Sequence, residues 1–467
     1  MPLTYRDLTA RVDSAASYNI IFKSEKVVRR KIALLRKIIK EFEGAYNPEP
    51  DDEVYAYFVP GRIEVFGKHT DYAGGHSLLF SMDRGFHCVC KANRKENVRI
   101  RDVNPFYGQR IFEFSDRLSP SIGDWANYPL TLIKRLCKNF GTDLKGVDIV
   151  FGSDLPPSGG MSSSSALMIM VFLAIASVNG LFDYPLYREN ITSNLDLAMY
   201  LACVENGQTF RSLEGERGVG TFGGSEDHTI ILNGKQGIVS LYQFAPTHHR
   251  ADISLPSDLA YVILYSGVLA EKTGEAMRKY NMVARRAKLV GERYNRAYGT
   301  DHRLLRDIVE ENERLDVDVM LAKVRQATAD YKERNQDLDL AGRFRQFYVE
   351  DRELIPEATR ALAFRKHEDL ARVTNLSHEA SRTYLWNIAP EIEYLQKKAL
   401  KLGALAASGF GAGFGGSAYA LVPTKDAPQF AMRMKKDYAR QFPKHAGIAT
   451  FFQANPSTGA CELFSSP

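Results

Sequence analysis

A glycine- and serine-rich segment limits the possible folds of this chain more than any other feature. A strand-like run at 146–151 leads into it, and an apolar stretch of helical length follows from Ala166. Between them stand Pro157, Ser158, Gly159, Gly160, Met161, Ser162, Ser163, Ser164 and Ser165. Glycines let backbone N–H groups approach an anion, and the next helix would begin with hydroxyls, so this segment predicts a phosphate site. The alternative is a serine-rich cap on a buried helix.

An unusually polar segment lies at 60–76, where glycines punctuate a β-like pattern. Its side chains that ionise or form hydrogen bonds are Arg62, Glu64, Lys68, His69, Thr70, Asp71, Tyr72 and His76. A purely structural hairpin does not need this density of polar groups, so the segment predicts a loop that binds a polyol. The alternative is a solvated hairpin with internal ion pairs.

A third segment, at 408–417, is rich in glycine and raises the question of a dinucleotide-binding fold. The spacing GxGxxG occurs twice, at Gly411, Gly413 and Gly416 and at Gly218, Gly220 and Gly223. That fingerprint should follow an apolar strand and open a helix, but one match runs into a strand-like stretch and the other follows polar residues. The sequence also has no P-loop motif and no protein-kinase HRD or DFG motif. These three routes to phosphate chemistry are therefore excluded.

Length and composition are those of a globular protein. With 467 residues, 45% of them hydrophobic, the chain has room for two or three domains and a cleft. Lys and Arg exceed Asp and Glu by 61 − 56 = 5, which suits an anionic small ligand, and we expect neither nucleic acid nor a membrane as partner. No apolar run reaches the roughly 20 residues of a spanning helix, and no secretory signal is visible. Five cysteines without metal-ligand spacing predict a reduced, cytoplasmic protein without a metal cluster.

The sequence pattern divides the chain into an appendage and two domains. Residues 6–43 have the pattern of one helix, which the proline-containing stretch at 47–50 ends. A β-like pattern follows from residue 54, and a long helix-rich stretch begins near residue 271. We expect a helical appendage at 1–45, a first domain at 46–240 and a second at 241–467.

Taken in chain order, the segments at 60–76, 157–165 and 408–417 resemble, by their order and spacing, the signature motifs of the GHMP small-molecule kinases. The segment at 60–76 resembles the galactokinase branch: the motif of that branch is GR-(V/I)-N-L-I-G-E-H-T-D-Y-N-G-G, and this chain has GRIEVFGKHTDYAGG at 61–75. Similarity at 125–128, 375–381 and 411–416 extends the resemblance over most of the chain from about residue 45. It implies an α+β fold, with a ribosomal-S5-like α/β domain, a ferredoxin-like α/β domain and an extra N-terminal helix. It also implies the ligands ATP and Mg²⁺.

The resemblance assigns the catalytic residues as well. A G-x-x-D-Q element of galactokinases matches residues 224–228, with His228 in place of glutamine. Asp227 and Arg62 would then flank the anomeric hydroxyl of a sugar. A carboxylate there can accept the hydroxyl proton as the oxygen attacks the γ-phosphoryl group, while the guanidinium orients the groups and neutralises charge.

Further ligand contacts follow from the same resemblance. His69, Asp71, Gly224 and Tyr280 match positions at the sugar, and Trp125 lies where residues near the adenine fall. The phosphates would contact the loop at 158–165. For Tyr280 and Trp125, aromatic packing in the core is the alternative.

Mg²⁺ is usually held in proteins by one or two hydroxyl or carboxylate ligands together with the substrate phosphates, so one serine of the loop is expected to bind it. The resemblance identifies this serine as Ser164 and adds Glu205. An apparent insertion at 211–220 leaves Glu214 and Glu216 as competitors of Glu205.

Lys68 is the departure from the galactokinase pattern that bears most on the substrate, because the family has glutamate there. An ammonium group at this position could bind a uronate carboxylate, a phosphate already on the substrate, or a hydroxyl of a differently configured sugar. Alternatively, Lys68 pairs with Glu64, which replaces a family asparagine, and the ligand is unaffected.

The expected activity is therefore that of an ATP- and Mg²⁺-dependent sugar kinase acting on the anomeric (C1) hydroxyl of a galactose-like monosaccharide. A uronic-acid or other sugar-1-kinase, with Lys68 reading a carboxylate, is one alternative. A catalytically silent sensor of sugar and ATP is another, although Arg62 and Asp227 are retained. A non-sugar substrate of the kind that other GHMP kinases use is disfavoured by the HTDY sequence at 69–72.

Overall fold

A computed structural model of the chain describes residues 3–119, 124–269, 274–331 and 338–464. The strands are β1 (Leu3–Thr4), β2 (Glu53–Phe66), β3 (His76–Asn93), β4 (Asn97–Asp102), β5 (Gln109–Glu113), β6 (Gly146–Ser153), β7 (Ile238–Gln243), β8 (His248–Ser254), β9 (Leu259–Tyr265), β10 (Ala406–Phe410), β11 (Ser417–Pro423), β12 (Thr450–Ala454) and β13 (Cys461–Glu462).

The α-helices are α1 (Tyr5–Arg11), α2 (Ala15–Asn19), α3 (Glu25–Tyr46), α4 (Asn127–Phe140), α5 (Ser163–Asn179), α6 (Pro185–Asn190), α7 (Asn194–Asn206), α8 (Glu226–Asn233), α9 (Gly274–Tyr298), α10 (Leu305–Glu311), α11 (Val317–Thr328), α12 (Leu340–Tyr348), α13 (Ile355–Ala363), α14 (His367–Ala380), α15 (Pro390–Lys401) and α16 (Ala427–Gln441). Two π-helical segments, Val349–Leu354 and Ser381–Leu385, follow α12 and α14.

The larger sheet is built around a long antiparallel hairpin of β2 and β3. Its strand order is β1-β2-β3-β6-β4-β5, with β13 beside β2 and with β7 and β8 continuing from β3. β4 and β6 run parallel, and the other pairs are antiparallel. The register of β2 shifts between Pro60 and Arg62 and between Glu64 and Phe66. Such bulges redirect side chains, and these two lie at the end of the hairpin that carries the polar segment.

The two faces of this sheet pack against different helices, as the alternation of side chains along a strand requires. Tyr57 and Val59 belong to the core that includes α5. Ala56 and Phe58 lie in the core formed with α3. α5 is buried on nearly all sides and is accordingly apolar from Ala166 to Ala176.

The smaller sheet has the antiparallel order β10-β11-β9-β12. It packs against α14, α15 and α16, and small residues such as Ala407 and Ala420 let these helices approach closely. The mixed α+β class with two domains, expected from the sequence, is confirmed.

The two sheets meet beside the glycine- and serine-rich loop at 157–165. The hydroxyl of Tyr419, on β11, donates to the carbonyl oxygen of Val65 on β2 at 2.8 Å. The hydroxyl of Ser417 donates to the carbonyl oxygen of Gly159 at 2.7 Å. These contacts bring the three glycine-bearing segments to one cleft.

The N-terminal appendage is three helices rather than the single helix predicted at 6–43. α1 is closed at its start by a reciprocal cap between Thr4 and Asp7. Ser14 and Ser24, which favour the first position before a helix, stand at the starts of α2 and α3. The left-handed conformation of Asn47, with φ of 42°, ends α3.

The expected boundary near residue 240 falls inside β7, which pairs with β3 in the larger sheet. β8 continues the same sheet to Ser254. The chain also returns to this sheet at its other end, where Cys461 pairs with Phe58. The larger sheet therefore includes residues on both sides of the expected boundary.

Among the described residues, no helix is both long and apolar enough to cross a membrane. All five cysteines are free thiols, and Cys88, Cys90 and Cys137 are buried.

Candidate active site

An open cavity of about 540 Å³ lies where the hairpin loop of β2 and β3, the start of α8 and the glycine-rich loop after β10 converge. Its lining consists of Arg62, Glu64, His69, Asp71, Tyr72, Ser165, Glu205, Asn206, Thr221, Gly223, Gly224, Glu226, Asp227, His228, Tyr280, Gly411 and Ala412. Most of the residues predicted to be catalytic or substrate-binding are in this list.

Arg62 and Asp227 form a close ion pair in the cavity. Nε and NH2 of Arg62 each lie 2.8 Å from Oδ1 of Asp227. Asp227 stands in the first turn of α8, where the helix dipole favours a carboxylate. NH1 of Arg62 donates to the carbonyl oxygen of Gly160 at 2.6 Å. One guanidinium thus joins the predicted base to the predicted phosphate loop.

The charge of Arg62 is secured by its neighbours. Arg62 is only 5% exposed. Burial alone would lower the pKa of its guanidinium, but the carboxylates of Asp227, Glu226 and Glu64 outweigh it and raise that pKa. Arg62 is therefore a permanent positive charge in a largely acidic pocket.

The hairpin loop brings the predicted sugar-binding residues together. His69 Nδ1 lies 2.9 Å from the hydroxyl of Tyr72, and the ring of His69 lies 5.5 Å from that of Tyr280. A Cβ added at Gly224 would lie 2.3 Å from Oδ2 of Asp71. Glycine is thus needed at 224 for this close approach. Burial raises the pKa of Tyr280, which remains a phenol able to donate.

Lys68 is the predicted binding residue that the structure does not bring to the cavity lining. Its side chain is 1% exposed, and Nζ donates to the hydroxyl of Ser377 on α14 at 2.7 Å. That hydroxyl also contacts the carboxylate of Glu350 at 2.8 Å. The hydrogen bond of Lys68 goes to Ser377 rather than to Glu64, while its charge also acts on Glu64 and opposes the rise that burial causes in the pKa of that carboxyl. The hydroxyl of Ser377 thus lies between the ammonium of Lys68 and the buried carboxylate of Glu350.

The predicted phosphate loop is folded in the way that anion-binding loops require. Ser158, Gly160 and Ser162 have φ of 46°, 76° and 58°, so the backbone alternates in hand and gathers its N–H groups. The hydroxyl of Ser162 is buried and has no protein hydrogen-bond partner. α5 begins at Ser163, so its N-terminus points into the same loop. Met161 is fully buried and anchors the turn.

Glu205, one of the two predicted metal ligands, lies next to Ser165, whereas the other predicted ligand was Ser164. Oγ of Ser165 lies 3.0 Å from Oε2 of Glu205, and Nε2 of His228 lies 3.3 Å from the same oxygen. Ser164 is one position earlier on α5 and therefore projects about 100° away around the helix. The hydroxyl and the carboxylate are hard oxygen donors of the kind that Mg²⁺ prefers, and the set fits that ion.

The competitors of Glu205 lie elsewhere. Glu214 pairs with Lys138 at 3.5 Å and Glu216 with Lys134 at 3.3 Å, both on α4. In the described part of the chain, no three His, Cys, Asp or Glu side chains are grouped as a metal cluster. A metal in this cleft would therefore need ligands from the nucleotide as well.

Trp125 does not line the cavity. Its ring packs at 6.1 Å from that of Phe151 and lies 5.6 Å from the guanidinium of Arg110. The indole Nε1 is buried and has no protein acceptor. These contacts agree with aromatic packing and leave the assignment to the adenine as a prediction.

Glu64 and Glu226 form a carboxyl pair that the sequence did not reveal. Burial together with the neighbouring carboxylates raises the pKa of Glu226 well above the usual range, and burial raises that of Glu64 to about 7. Two carboxyl groups can share a hydrogen bond only if one holds a proton. Oε2 of Glu226 also accepts from Ser77 at 2.8 Å. The two glutamates are 162 positions apart, so no local pattern could have paired them.

Comparison with known proteins supports the family that the motifs resemble. The galactokinase galactose-binding signature matches residues 40–92, the GHMP kinase N-terminal domain matches 127–207 and the GHMP kinase C-terminal domain matches 356–440. The three matches occur in the order expected from the motifs. The matches support a galactokinase-like protein of the GHMP kinases.

The curated relatives of this GHMP kinase are consistent with that branch. A galactokinase of Thermococcus kodakarensis is 27% identical over 412 residues, which cover 87% of this chain and 99% of that protein. A galactokinase of Dictyostelium discoideum is 27% identical over 249 residues, 52% of this chain and 45% of that protein. The match therefore spans less than half the length of the Dictyostelium relative.

A solved structure shares the fold of this GHMP kinase. The crystal structure of Lactococcus lactis galactokinase complexed with galactose superposes with a TM-score of 0.73 at 21% identity. It covers 92% of this chain and 100% of that one. The likeness extends over both domains.

Proposed function

We propose that this GHMP kinase transfers the γ-phosphoryl group of ATP to the anomeric hydroxyl of galactose or a closely similar neutral sugar. The observation that carries the proposal is the contact of Arg62 with both Asp227 and the carbonyl oxygen of Gly160. It joins a carboxylate in a polar cavity to the phosphate loop. The galactokinase relatives and the galactose-binding signature support the choice of sugar.

The cavity geometry suggests how the chain's own residues would act. The sugar would be held by His69, Asp71 and Tyr280, with its anomeric hydroxyl toward Asp227. Asp227 accepts the hydroxyl proton, the sugar oxygen forms the new bond to the γ-phosphorus, and the bond to the β-phosphate oxygen breaks to release ADP. Arg62 holds Asp227 in place and offsets the negative charge that approaches it.

The nucleotide would lie with its phosphates against residues 158–165. Backbone N–H groups of the loop and the N-terminus of α5 would bind the phosphates, and the buried hydroxyl of Ser162 is available to them. Mg²⁺ bound with the nucleotide would neutralise the β- and γ-phosphate oxygens, and Ser165 and Glu205 are the residues that we expect to hold it.

A uronic acid is disfavoured by the charges around the cavity. Five carboxyl side chains line it, namely Glu64, Asp71, Glu205, Glu226 and Asp227. Arg62 is the one Lys or Arg side chain in the same lining, and it is already engaged by Asp227. The buried Lys68 is bonded to Ser377 and does not line this cavity. An anionic sugar would meet net repulsion, whereas a neutral polyol would find many acceptors.

The test is an ADP-release assay with ATP and Mg²⁺ across galactose, arabinose, glucuronate and galacturonate. We expect turnover with galactose and none above background with either uronate. Turnover confined to a uronate would refute the proposed substrate class. Binding of galactose and ATP without ADP release would instead support a silent sensor.

A further inference from the structure

The hairpin loop that presents His69 and Asp71 is held by groups from the C-terminal half of the chain. The amide of Gly67 donates to Oε1 of Glu350 at 2.9 Å. Gln346 donates to the carbonyl oxygen of Lys68 at 3.0 Å, and Arg343 donates to that of His69 at 2.6 Å. Three successive residues of the loop are thus fixed by α12 and the π-helical segment behind it.

Arg343, Gln346 and Glu350, here called the clamp, support a backbone conformation that the loop would not adopt alone. His69 has φ of 58°, in the left-handed region that non-glycine residues rarely occupy. Gly67, two positions earlier, has φ of 110°. Such conformations persist only when surrounding contacts determine them, and they occur often at ligand sites. Here the contacts come from helices more than 270 positions away.

The π-helical segment explains how two neighbouring carboxylates can serve one loop. Glu350 reaches Gly67, at one end of the loop, and Asp351 accepts from the amide of His76, at the other end, at 2.6 Å. Both carboxylates are buried. A π-helix has an extra residue per turn and is frequent at functional sites. Both ends of the binding loop are therefore tied to one short segment.

Lys68 is the cation of this clamp. Glu350 is completely buried, and its carboxylate reaches the ammonium of Lys68 through the hydroxyl of Ser377. Ser377 accepts from Lys68 and donates to Glu350, so the three groups form a short charge-balanced chain. Burial lowers the pKa of His378 to about 4, and the positive charge of Lys68 contributes to this shift. Neutral His378 accepts from the amide of Gly409 at 3.1 Å.

We propose that Lys68 is a positioning residue: through Ser377 it neutralises Glu350, and this holds the loop at 67–76 in the conformation that presents His69 and Asp71 to the sugar. Lys68 does not read the sugar itself. The kinetic half of this inference rests on the proposed function, whereas the conformational half does not.

The conformational half is tested by hydrogen–deuterium exchange of the peptide spanning 67–76, in the protein without any ligand. Lys68→Met leaves Glu350 buried without its cation, and we expect the amides of this peptide to exchange about tenfold faster. Lys288→Met, at an exposed lysine on α9, is the control for loss of a lysine charge. Unchanged exchange in Lys68→Met would overturn the proposal even if the enzyme proves to have another substrate.

The double variant Lys68→Met/Glu350→Gln separates positioning from recognition. Glutamine at 350 keeps an oxygen for Gly67 and removes the charge, so the clamp is neutral again. We expect Lys68→Met to raise the KM for galactose about tenfold with the KM for ATP within about twofold, and the double variant to recover most of the loss. If Lys68 instead contacts the sugar, the double variant stays as impaired as the single one.

Ser377→Ala is a milder variant that keeps both charges and removes only the bridge between them. It should move the loop exchange and the galactose KM in the same direction by a smaller factor. A normal loop exchange together with a raised galactose KM would contradict the positioning role. Absence of sugar turnover in the wild type, with faster loop exchange in Lys68→Met, would refute the proposed function and leave the clamp standing.

Discussion

Arg62 and Asp227 are 165 positions apart in the sequence, yet two guanidinium nitrogens lie 2.8 Å from one oxygen of the carboxylate. The contact joins the larger sheet to the first turn of α8. Since the same guanidinium donates to the carbonyl oxygen of Gly160, one side chain joins the proposed base to the proposed phosphate loop. Positioning of such groups is the main contribution that a protein makes to phosphoryl transfer.

Asp227→Asn should reduce kcat strongly while leaving ATP binding nearly unchanged. The amide oxygen can still accept from Arg62, but the side chain no longer takes the hydroxyl proton. General-base removal typically costs 10²- to 10⁴-fold, so we expect a loss of at least about 100-fold in kcat, with the KM for ATP within about threefold. Steady-state kinetics measure both. Equal weakening of turnover and ATP affinity would argue that Asp227 is structural.

Ser165→Ala and Ser164→Ala distinguish the two candidates for the metal site. Because Oγ of Ser165 lies 3.0 Å from Glu205, its removal should weaken the apparent Mg²⁺ affinity about tenfold or more. Ser164→Ala, on the same turn of α5, removes the other candidate hydroxyl and is compared with it directly. Titration of activity against free Mg²⁺ at saturating ATP is the measurement. A larger effect at Ser164 would restore the original assignment.

Lys31→Met should disturb the ATP site although Lys31 lies on the N-terminal appendage. The ammonium is fully buried over the rings of Phe22 and Phe58 and lies 3.0 Å from Oδ2 of Asp154, three residues before Pro157. Burial lowers the pKa of Lys31 to about 8, and Asp154 opposes that shift.

Breaking a buried pair by removing one partner costs about 3 to 5 kcal/mol, and the lower end applies here because Arg30 also contacts Asp154. We therefore expect a loss of about 3 kcal/mol in the free energy of unfolding and a raised KM for ATP. Denaturant unfolding and kinetics test the two effects. The control is Arg36→Met, since Arg36 pairs with Asp13 in an exposed position on the same appendage, and its loss should change the free energy of unfolding far less. Equal losses in the two variants would contradict a specific role of the Lys31–Asp154 pair.

The carboxyl pair of Glu64 and Glu226 predicts a particular dependence of stability on pH. Burial raises the pKa of both groups above the usual 4.5. Between pH 4.5 and those raised values the folded protein holds more protons than the unfolded chain, so stability falls as pH rises. Each such proton contributes a slope of up to about 1.4 kcal/mol per pH unit.

Glu226→Gln removes one proton-binding group and keeps a donor for Glu64. Its free energy of unfolding, measured by denaturant from pH 5 to 8, should fall less steeply with pH than that of the wild type. Comparison of the two proteins cancels the titration of all other groups. Identical slopes would mean that the pair does not share a proton.

The sequence predicted those parts of the fold and site that lie within one motif. The turn at 157–162 depends on Gly160 and on neighbouring residues, and a strand before it and a helix after it can be read from local pattern. The grouping of His69 and Asp71 follows similarly from one hairpin. These features are local, so sequence spacing largely determines them.

The contacts between residues far apart in the chain could not be predicted from the sequence, because no spacing of residues encodes them. Lys68 donates to Ser377, which also contacts the buried Glu350, and neither residue belongs to a recognised ligand contact in the sequence. Likewise, the choice between Ser164 and Ser165 depends on which face of α5 meets Glu205 on α7. Four successive serines give no preference.

The site of phosphorylation on the sugar tests the central claim most directly. Galactose, ATP and Mg²⁺ would be incubated with the wild type and, in parallel, with Asp227→Asn, and the products analysed by ³¹P and ¹³C NMR. The account predicts a phosphate ester on C1 with the wild type and a greatly reduced yield with the variant. An ester on any other carbon, or equal product from both proteins, would contradict the role given to Asp227 beside the anomeric hydroxyl.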